Sequence, residues 1–387
     1  MKVIFIDPQS YNVLGKYDIS LLQKVAKPGI QIKFFCNVKI LEEKYFESLN
    51  FCSIEPVFSY GQTSNIFAKI FSYLFSYGKI ILYLIAEPPN VIHIQWMRIP
   101  LFDILFIGSL RLLRIPVIYT SHNFLPHRQN FLSFFFSKAA CRLASRVVVH
   151  SKSTKDLLIS QFGCKPENVL TIPYGKLNPV SSPLKTTAYN TAKGTPYCPL
   201  VFSILGTIRS DKGILEYLQV WSYAWHNYKD ILSQAKLRIV GEWESGYFDK
   251  VNDFIIDNCL TNVSISNRWL SNQDFEQEII NADVCVLPYL SMSQSGLLMT
   301  LLSYEKPCIV SNVGGLPEPF EVARVGWVFS WEEDLEITIE KAIFKPIQEI
   351  SSGWLPSSED WESIDRHFSW SRAGEATTSL YRHLSDQ

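Results

Sequence analysis

The sequence predicts an α/β chain made of two doubly wound parallel-sheet domains in tandem. Three observations carry that expectation. The chain has 387 residues, too many for one ordinary core and enough for two. Short apolar runs alternate with stretches of helical periodicity, the pattern of parallel strands covered on both faces. Over residues 177–199, "LNPVSSPLKTTAYNTAKGTPYCP", the periodicity lapses into a linker composition, and the alternation then restarts. With 47% hydrophobic and 19% charged residues, the composition is globular and not disordered.

"KVIFID" opens the chain as a buried strand; one Lys and an early Asp7 do not make a secretory leader. Residues 17–27 have helical spacing, and "IQIKFFCN" is the second strand. "IFAKIFSYLFSYGKIILYLIAEPP" is interrupted by Lys69, Lys79 and recurrent Tyr and Ser, which predicts an amphipathic or buried helix and not a membrane span. "VIHIQW" is a strand, "FDILFIGSLRLLR" a helix, "IPVIYTSHN" a strand and "FLSFFFSKAACRLASR" a helix, followed by strand "VVVHS" and helix "STKDLLISQF". After the linker, strands "LVFSILG", "KLRIVG", "VSISN", "VCVLPY" and "PCIVSN" alternate with helices at 213–227, 246–258, 272–281 and 296–304. The last segment has Trp361, Ile364, Phe368, Trp370, Leu380 and Tyr381 as anchors of one or two helices. The expected boundaries are 1–180, a linker at 181–199, 200–358, and terminal helices at 359–387 that cover the second domain or cross back to the first.

Charge divides the halves. Residues 1–190 hold 21 Lys and Arg against 10 Asp and Glu, whereas residues 191–387 hold 15 against 27. A basic half suits an anionic partner, or the halves attract each other across a cleft. The eight cysteines include no C-x-x-C pair, which predicts a reducing, cytoplasmic setting without a zinc knuckle or redox dithiol. A near-neutral pI of about 6.7, with no interleaved basic and aromatic module, argues against a nucleic-acid partner.

Ligands of doubly wound sheets sit beyond the carboxyl ends of the strands, so strand-ending residues are the ones to examine. "GTIRSDKG", residues 206–213, puts Arg209 and Lys212 on a turn that leads into a helix. Free amides and the positive helix end gather there, and the natural guest is a diphosphate, gripped by Arg as a fork and by Lys as a point charge. Taken alone, the turn equally suits a solvated loop. Further on, Gln294, Ser295 and Gly296 open a helix after "VCVLPY", where N–H donors meet an anion or simply cap the helix. Gly314 and Gly315 in "VGGLPE" permit positive φ and close backbone approach.

In order along the chain, "PVIYTSHNFLPH", "ASRVVVHSKSTKDLL", "ENVLTIPYG", "LGTIRSDKG", "LRIVG", "NRWLSNQDFEQEIINADVCVLPY", "QSG" and "KPCIVSNVGGLPE" resemble a family 4 glycosyltransferase of the two-Rossmann-domain (GT-B) type, its domains facing a cleft. The resemblance implies roles. Arg209 and Lys212 would neutralise the donor diphosphate. Gly206, Gly241 and Glu242 would line the donor site, with Gln294, Ser295, Gly296, Gly314 and Gly315 at the phosphates or sugar. Arg268 and Trp269 would lie near the base, and Glu318 near the ribose or the helix that follows. His122 would face the transferred sugar across the cleft, with His93, His127 and Arg128 on the acceptor side. Many members carry Glu, seven residues, then a second Glu; anchored on Lys306-Pro307, those positions are Met292 and Thr300. The chain here resembles a Gln-Ser-Gly variant, which leaves open how the donor hydroxyls are held.

The implied reaction moves a sugar from a nucleoside diphosphate to a glycan or lipid-linked oligosaccharide in polysaccharide assembly. No Asp-x-Asp occurs, in keeping with metal-free transfer and no cofactor beyond the substrate itself. With retention, the leaving phosphate can accept the acceptor's proton; with inversion, a base is needed, for which His122, His127 and Asp103 are candidates. Excess cations and the aromatic runs "FLSFFFSK" and "IFSYLFSYGKIILY" would suit peripheral contact with an anionic membrane on its inner face. The alternatives are a weakly active or non-catalytic subunit that binds nucleotide or glycan, and a nucleotide-sugar epimerase.

Overall fold

The computed structural model describes residues 1–42, 52–60, 65–122, 131–177, 195 and 198–386. The chain divides into two units, residues 1–175 with 368–387 and residues 176–367. Most of the expected linker falls outside the described residues.

The first unit has strands β1 Lys2–Asp7, β2 Gln31–Asn37, β3 Ser53–Phe58, β4 Val91–Ile94, β5 Val117–Thr120, β6 Arg146–Val149 and β7 Val169–Thr171. They form one sheet in the order β3-β2-β1-β4-β5-β6-β7, every pair parallel. Its helices are α1 Asn12–Val25, α2 Ile66–Ala86, α3 Pro100–Leu112, α4 Phe131–Leu143 and α5 Lys152–Phe162. The apolar runs became strands because both sheet faces are covered; Val3, Ile4, Phe5 and Ile6 are all fully buried. Asn65 caps α2 by accepting from the Phe67 and Ala68 amides, and Ser151 caps α5 through the Thr154 amide.

The second unit has β8 Leu200–Ile208, β9 Ala235–Trp243, β10 Val263–Asn267, β11 Val284–Leu287, β12 Cys308–Ser311 and β13 Gly326–Phe329. Their order is β10-β9-β8-β11-β12-β13, again all parallel. The helices are α6 Ile214–Asn227, α7 Lys229–Leu232, α8 Tyr247–Asp257, α9 Asn272–Asn281, α10 Gly296–Ser303, α11 Glu318–Val322, α12 Leu335–Ile339, α13 Lys345–Ser351 and α14 Ser358–His367. Both units are therefore doubly wound as expected. Strand order reverses between β1 and β4, and between β8 and β11. The carboxyl ends of those pairs are the switch points where such sheets bind ligands.

Helix α15, Trp370–Ser385, resolves the two alternatives for the chain end, because it joins the first unit while α14 stays in the second. It lies on α1 so closely that a Cβ at Gly374 would stand 2.4 Å from the Lys24 Cβ. Its Tyr381 hydroxyl is 2.6 Å from His93 Nδ1.

Between β1 and α1, Asp7 and Asp18 are both fully buried. Burial raises both carboxyls, Asp7 to about 6; the charge and hydrogen bond of Asp7 raise Asp18 further, whereas the hydrogen bond with Asp18 pulls Asp7 part of the way back down. The pair therefore holds a proton that the unfolded chain would release. With raised folded-state pKa values, its contribution to stability is present at acid pH and is lost as pH climbs above the ordinary carboxylate value of about 4. Asp18→Asn keeps a donor toward Asp7 without the second charge. It is expected to raise the denaturation midpoint at pH ~8, by about 1 kcal/mol, and to flatten the pH dependence, as read by urea unfolding across that range.

Candidate functional site

The turn after β8 lies at the second unit's switch point. Arg209 is gripped by Asp211 two residues on, Nε to Oδ1 at 2.9 Å and Nη2 to Oδ2 at 3.0 Å. Glu244, just past β9, accepts from both the Ser210 amide and hydroxyl at 3.2 Å. The Leu290 amide donates to the Asp211 carbonyl at 3.3 Å, so the turn is tied to the ends of both neighbouring strands. Gly213 then enters α6 with φ 66°, and a Cβ there would stand 2.0 Å from the Pro288 oxygen. No other residue fits that approach.

This framework points Lys212 at an aromatic ring. Its Nζ lies 3.7 Å from the centre of the Tyr289 ring, and among the described residues it has no ion pair. Burial first, and the Arg209 charge second, push its ammonium down to about 8. The ring face offsets part of the cost of an unpaired cation. Burial pushes the Tyr289 phenol up, and nearby Ser295 offsets part of that push. Ser295 in turn caps α10, its Oγ accepting from the Leu298 amide at 3.2 Å.

The structure thus brings Arg209, Lys212 and Ser295 together through Tyr289. Around them lie Gln294, half-buried, and Gly296, the first residue of α10. Leu297 of that helix approaches to 3.8 Å of the place a Gly206 Cβ would occupy, and Gly206 pairs in register with Gly241. Gly314 has φ 56°, and a Cβ there would stand 1.6 Å from the Met292 oxygen; the Gly315 amide donates to the Ser293 carbonyl at 3.1 Å. Met292 and Thr300 stand at the two positions where the resemblance implies an acidic pair. Met292 is buried, and the Thr300 hydroxyl donates to the Gly296 carbonyl at 2.9 Å.

The remaining donor-side residues stand at the ends of β9 and β10. Glu242 and Trp269 are exposed. The Arg268 amide donates to the Gly241 carbonyl at 2.9 Å, but its guanidinium is held by Glu278 at 2.8 Å, which also takes Arg238. Glu318 opens the five-residue α11, half-buried.

In the first unit, His122 differs from the expectation of an imidazole standing open to substrate. It is buried, with Nε2 2.9 Å from the Gln95 side chain and Nδ1 3.2 Å from His150 Nε2. His150 Nδ1 donates to the Ile172 carbonyl at 2.9 Å, which places a proton on that nitrogen. The Gln95 oxygen accepts from His122 Nε2, and its NH2 donates to His93 Nε2 at 3.0 Å. His93 also meets Thr120 at 2.7 Å and Tyr381. Burial holds all three imidazoles neutral, pushing His93 down to about 3 and His150 to about 4. Asp103 accepts from the Tyr73 and Tyr77 hydroxyls at 2.7 and 2.8 Å, and from the Arg98 and Ile99 amides at 3.0 and 2.9 Å; it joins α2 to α3. His127 and Arg128 lie outside the described residues. Among the described residues, no group of three or more His, Cys, Asp or Glu converges as metal ligands would.

Tyr289, Asp211 and Glu244 are the site residues that sequence reasoning passed over. Asp211 sat in the quoted turn, and Tyr289 ended a quoted strand. Glu244 carried no local signal, because it meets Ser210 only through the pairing of β8 with β9.

Residues 20–175 match the family described as Glycosyltransferase Family 4, and residues 199–343 match Glycosyl transferases group 1. No curated protein matches the chain by sequence. The sucrose-phosphate synthase from Thermosynechococcus elongatus superposes with a TM-score of 0.70 at 16% identity, over 99% of this chain and 99% of that one. The lipopolysaccharide outer core galactosyltransferase WaaB gives 0.68 at 15% identity, over 99% and 100%. HepE from Anabaena, in complex with UDP-glucose, gives 0.67 at 14% identity, over 99% and 100%. At these identities the likeness shows the fold, which is GT-B.

Lys212 has a folded-state pKa below its unfolded value, so the folded protein binds fewer protons between about 8 and 10.5. Stability attributable to this group therefore rises with pH across that window. Lys212→Met is expected to raise the melting temperature at neutral pH by a few degrees and to remove the rise on the alkaline side. Differential scanning fluorimetry at a series of pH values reads both effects.

Proposed function

The chain belongs to the family 4 glycosyltransferases, with a group 1 second half, and from that premise we propose that it moves a sugar from a nucleoside diphosphate donor to a glycan or lipid-linked oligosaccharide. The observation that carries this reading is the Lys212 ammonium, half-buried at the β8–β11 switch point without a carboxylate partner among the described residues. A diphosphate is the anion such a place suits. That HepE is described in complex with UDP-glucose supports a nucleotide-sugar donor.

In the proposed reaction the acceptor hydroxyl oxygen bonds to the anomeric carbon while the bond from that carbon to the diphosphate oxygen breaks. Charge builds on the departing diphosphate, and preorganised donors lower the barrier most where charge develops. Lys212 supplies a fixed positive charge. Arg209 supplies a second when its fork turns from Asp211 to a phosphate. The capped start of α10 adds backbone amides. These groups do what a divalent ion does elsewhere, so the transfer is read as metal-independent. The leaving oxygen takes the acceptor's proton, which gives retention without a protein base. Neutral His93, His122 and His150, their ring nitrogens spent on one another and on nearby groups, support that reading.

Lys212→Ala is expected to lower kcat/KM for transfer, and the slow release of nucleoside diphosphate without acceptor, by about a hundredfold or more. It should also abolish thermal stabilisation by the preferred nucleoside diphosphate, which the wild type shows in proportion to concentration over affinity. Unchanged turnover in this variant would refute the assignment. Nucleotide affinity in the wild type is expected to fall as pH rises through about 8, where Lys212 loses its charge, and to lose that dependence in Lys212→Ala.

A further inference from the structure

We propose that the outer face of α2 and α3 in the first unit rests on an anionic lipid bilayer, with α2 lying in the plane of the interface. Phe67, Phe71, Phe75, Leu82 and Ile85 of α2 are between 59% and 79% exposed. At 100° per residue they fall within an arc of about 80°. The opposite arc carries Tyr73, Ser76, Tyr77, Ile80 and Leu84, all buried against the sheet. Beside this stripe, α3 turns Leu101, Leu105 and Leu112 outward, and Tyr77 packs on Phe102 and Phe106 to hold the two helices together. So wide a run of large apolar side chains is not the surface of a free-standing soluble unit.

Charge selects the occupant. Lys79 flanks the stripe, its Nζ 5.1 Å from the centre of the Phe75 ring, and Arg111 and Arg114 stand at the end of α3. None of them pairs with a carboxylate among the described residues. The acidic residue within α2 and α3 is Asp103, which is buried, and Glu87 at the C-terminal cap of α2 is paired with Lys2. A second copy of the chain placed on this face by a twofold axis would set cations against cations. An anionic leaflet accepts both the apolar stripe and the cations. The helix is long and apolar enough to cross a membrane by composition. Crossing, however, would strip the Tyr73 and Tyr77 hydroxyls from Asp103, which they meet at 2.7 and 2.8 Å. Lying flat keeps those bonds and immerses only the exposed stripe.

The test is flotation of the full chain with vesicles of phosphatidylcholine alone or mixed with phosphatidylglycerol. Partition into the anionic vesicles is expected to exceed that into neutral ones by about tenfold at low salt and to weaken as salt rises. Phe71→Ser combined with Phe75→Ser should cut it about tenfold, whereas Ile256→Ser, exposed on α8 of the second unit, should leave it unchanged. Thermal stabilisation by nucleoside diphosphate is measured on all variants and should be the same in each, so the docking face and the donor site succeed or fail separately. Equal flotation by the double variant, or equal partition into neutral and anionic vesicles, overturns the proposal. So does a wild-type dimer in sedimentation that the double variant dissolves, since a second copy would then be the occupant.

Discussion

An ammonium kept charged, half out of water and without a carboxylate partner among the described residues is the constraint from which the second unit's site takes its shape. Left to itself, Lys212 would be neutralised by its neighbour Asp211. Asp211 instead spends both oxygens on Arg209, and the turn is pinned by Glu244 and by the Leu290 amide so that this choice persists. The Tyr289 ring offers the lysine a face and no competing anion. Gly213 and Gly314 let two backbones come within contact of the Pro288 and Met292 carbonyls, which closes the framework around the cation. The arrangement costs folding free energy and leaves a charge whose best partner is supplied from outside.

The strands and helices were largely legible because the inner strands of each sheet are covered on both sides and so read as short runs rich in Val, Ile, Leu and Phe. Three strands escaped notice for identifiable reasons. β3 contains Glu55 and Pro56, tolerable only because it is an edge strand; β7 and β13 have three and four residues. Helix α1 starts at Asn12, five residues ahead of the expected 17, with a positive φ of 53° that Asn accepts more readily than most residues. At the site, Arg209 and Lys212 were visible because the turn concentrates both charges between two glycines. Tyr289 was not, because its meeting with Lys212 depends on β11 pairing beside β8, a neighbourhood that no local pattern encodes. Arg268 was visible as a charge at a strand end, but its capture by Glu278 depends on where α9 packs.

The first unit carries its polar investment in its interior. The row His150, His122, Gln95, His93 and Tyr381 runs across the ends of β6, β5 and β4 to α15, each member satisfying the next. In so dry a setting, a network is stabilising only when every donor meets an acceptor. Histidines that end these strands tie neighbouring strands together at the rim of the sheet.

The return of α15 to the first unit has a consequence for how the chain is born. Residues 176–367 form an uninterrupted segment, whereas the earlier-made unit lacks the helix that covers α1 and hydrogen-bonds His93 until the final stretch leaves the ribosome. The part synthesised first is thus the part completed last. During elongation it waits with an apolar groove open, a window in which a chaperone, or any surface that shields such grooves, would find its strongest hold on the nascent polypeptide.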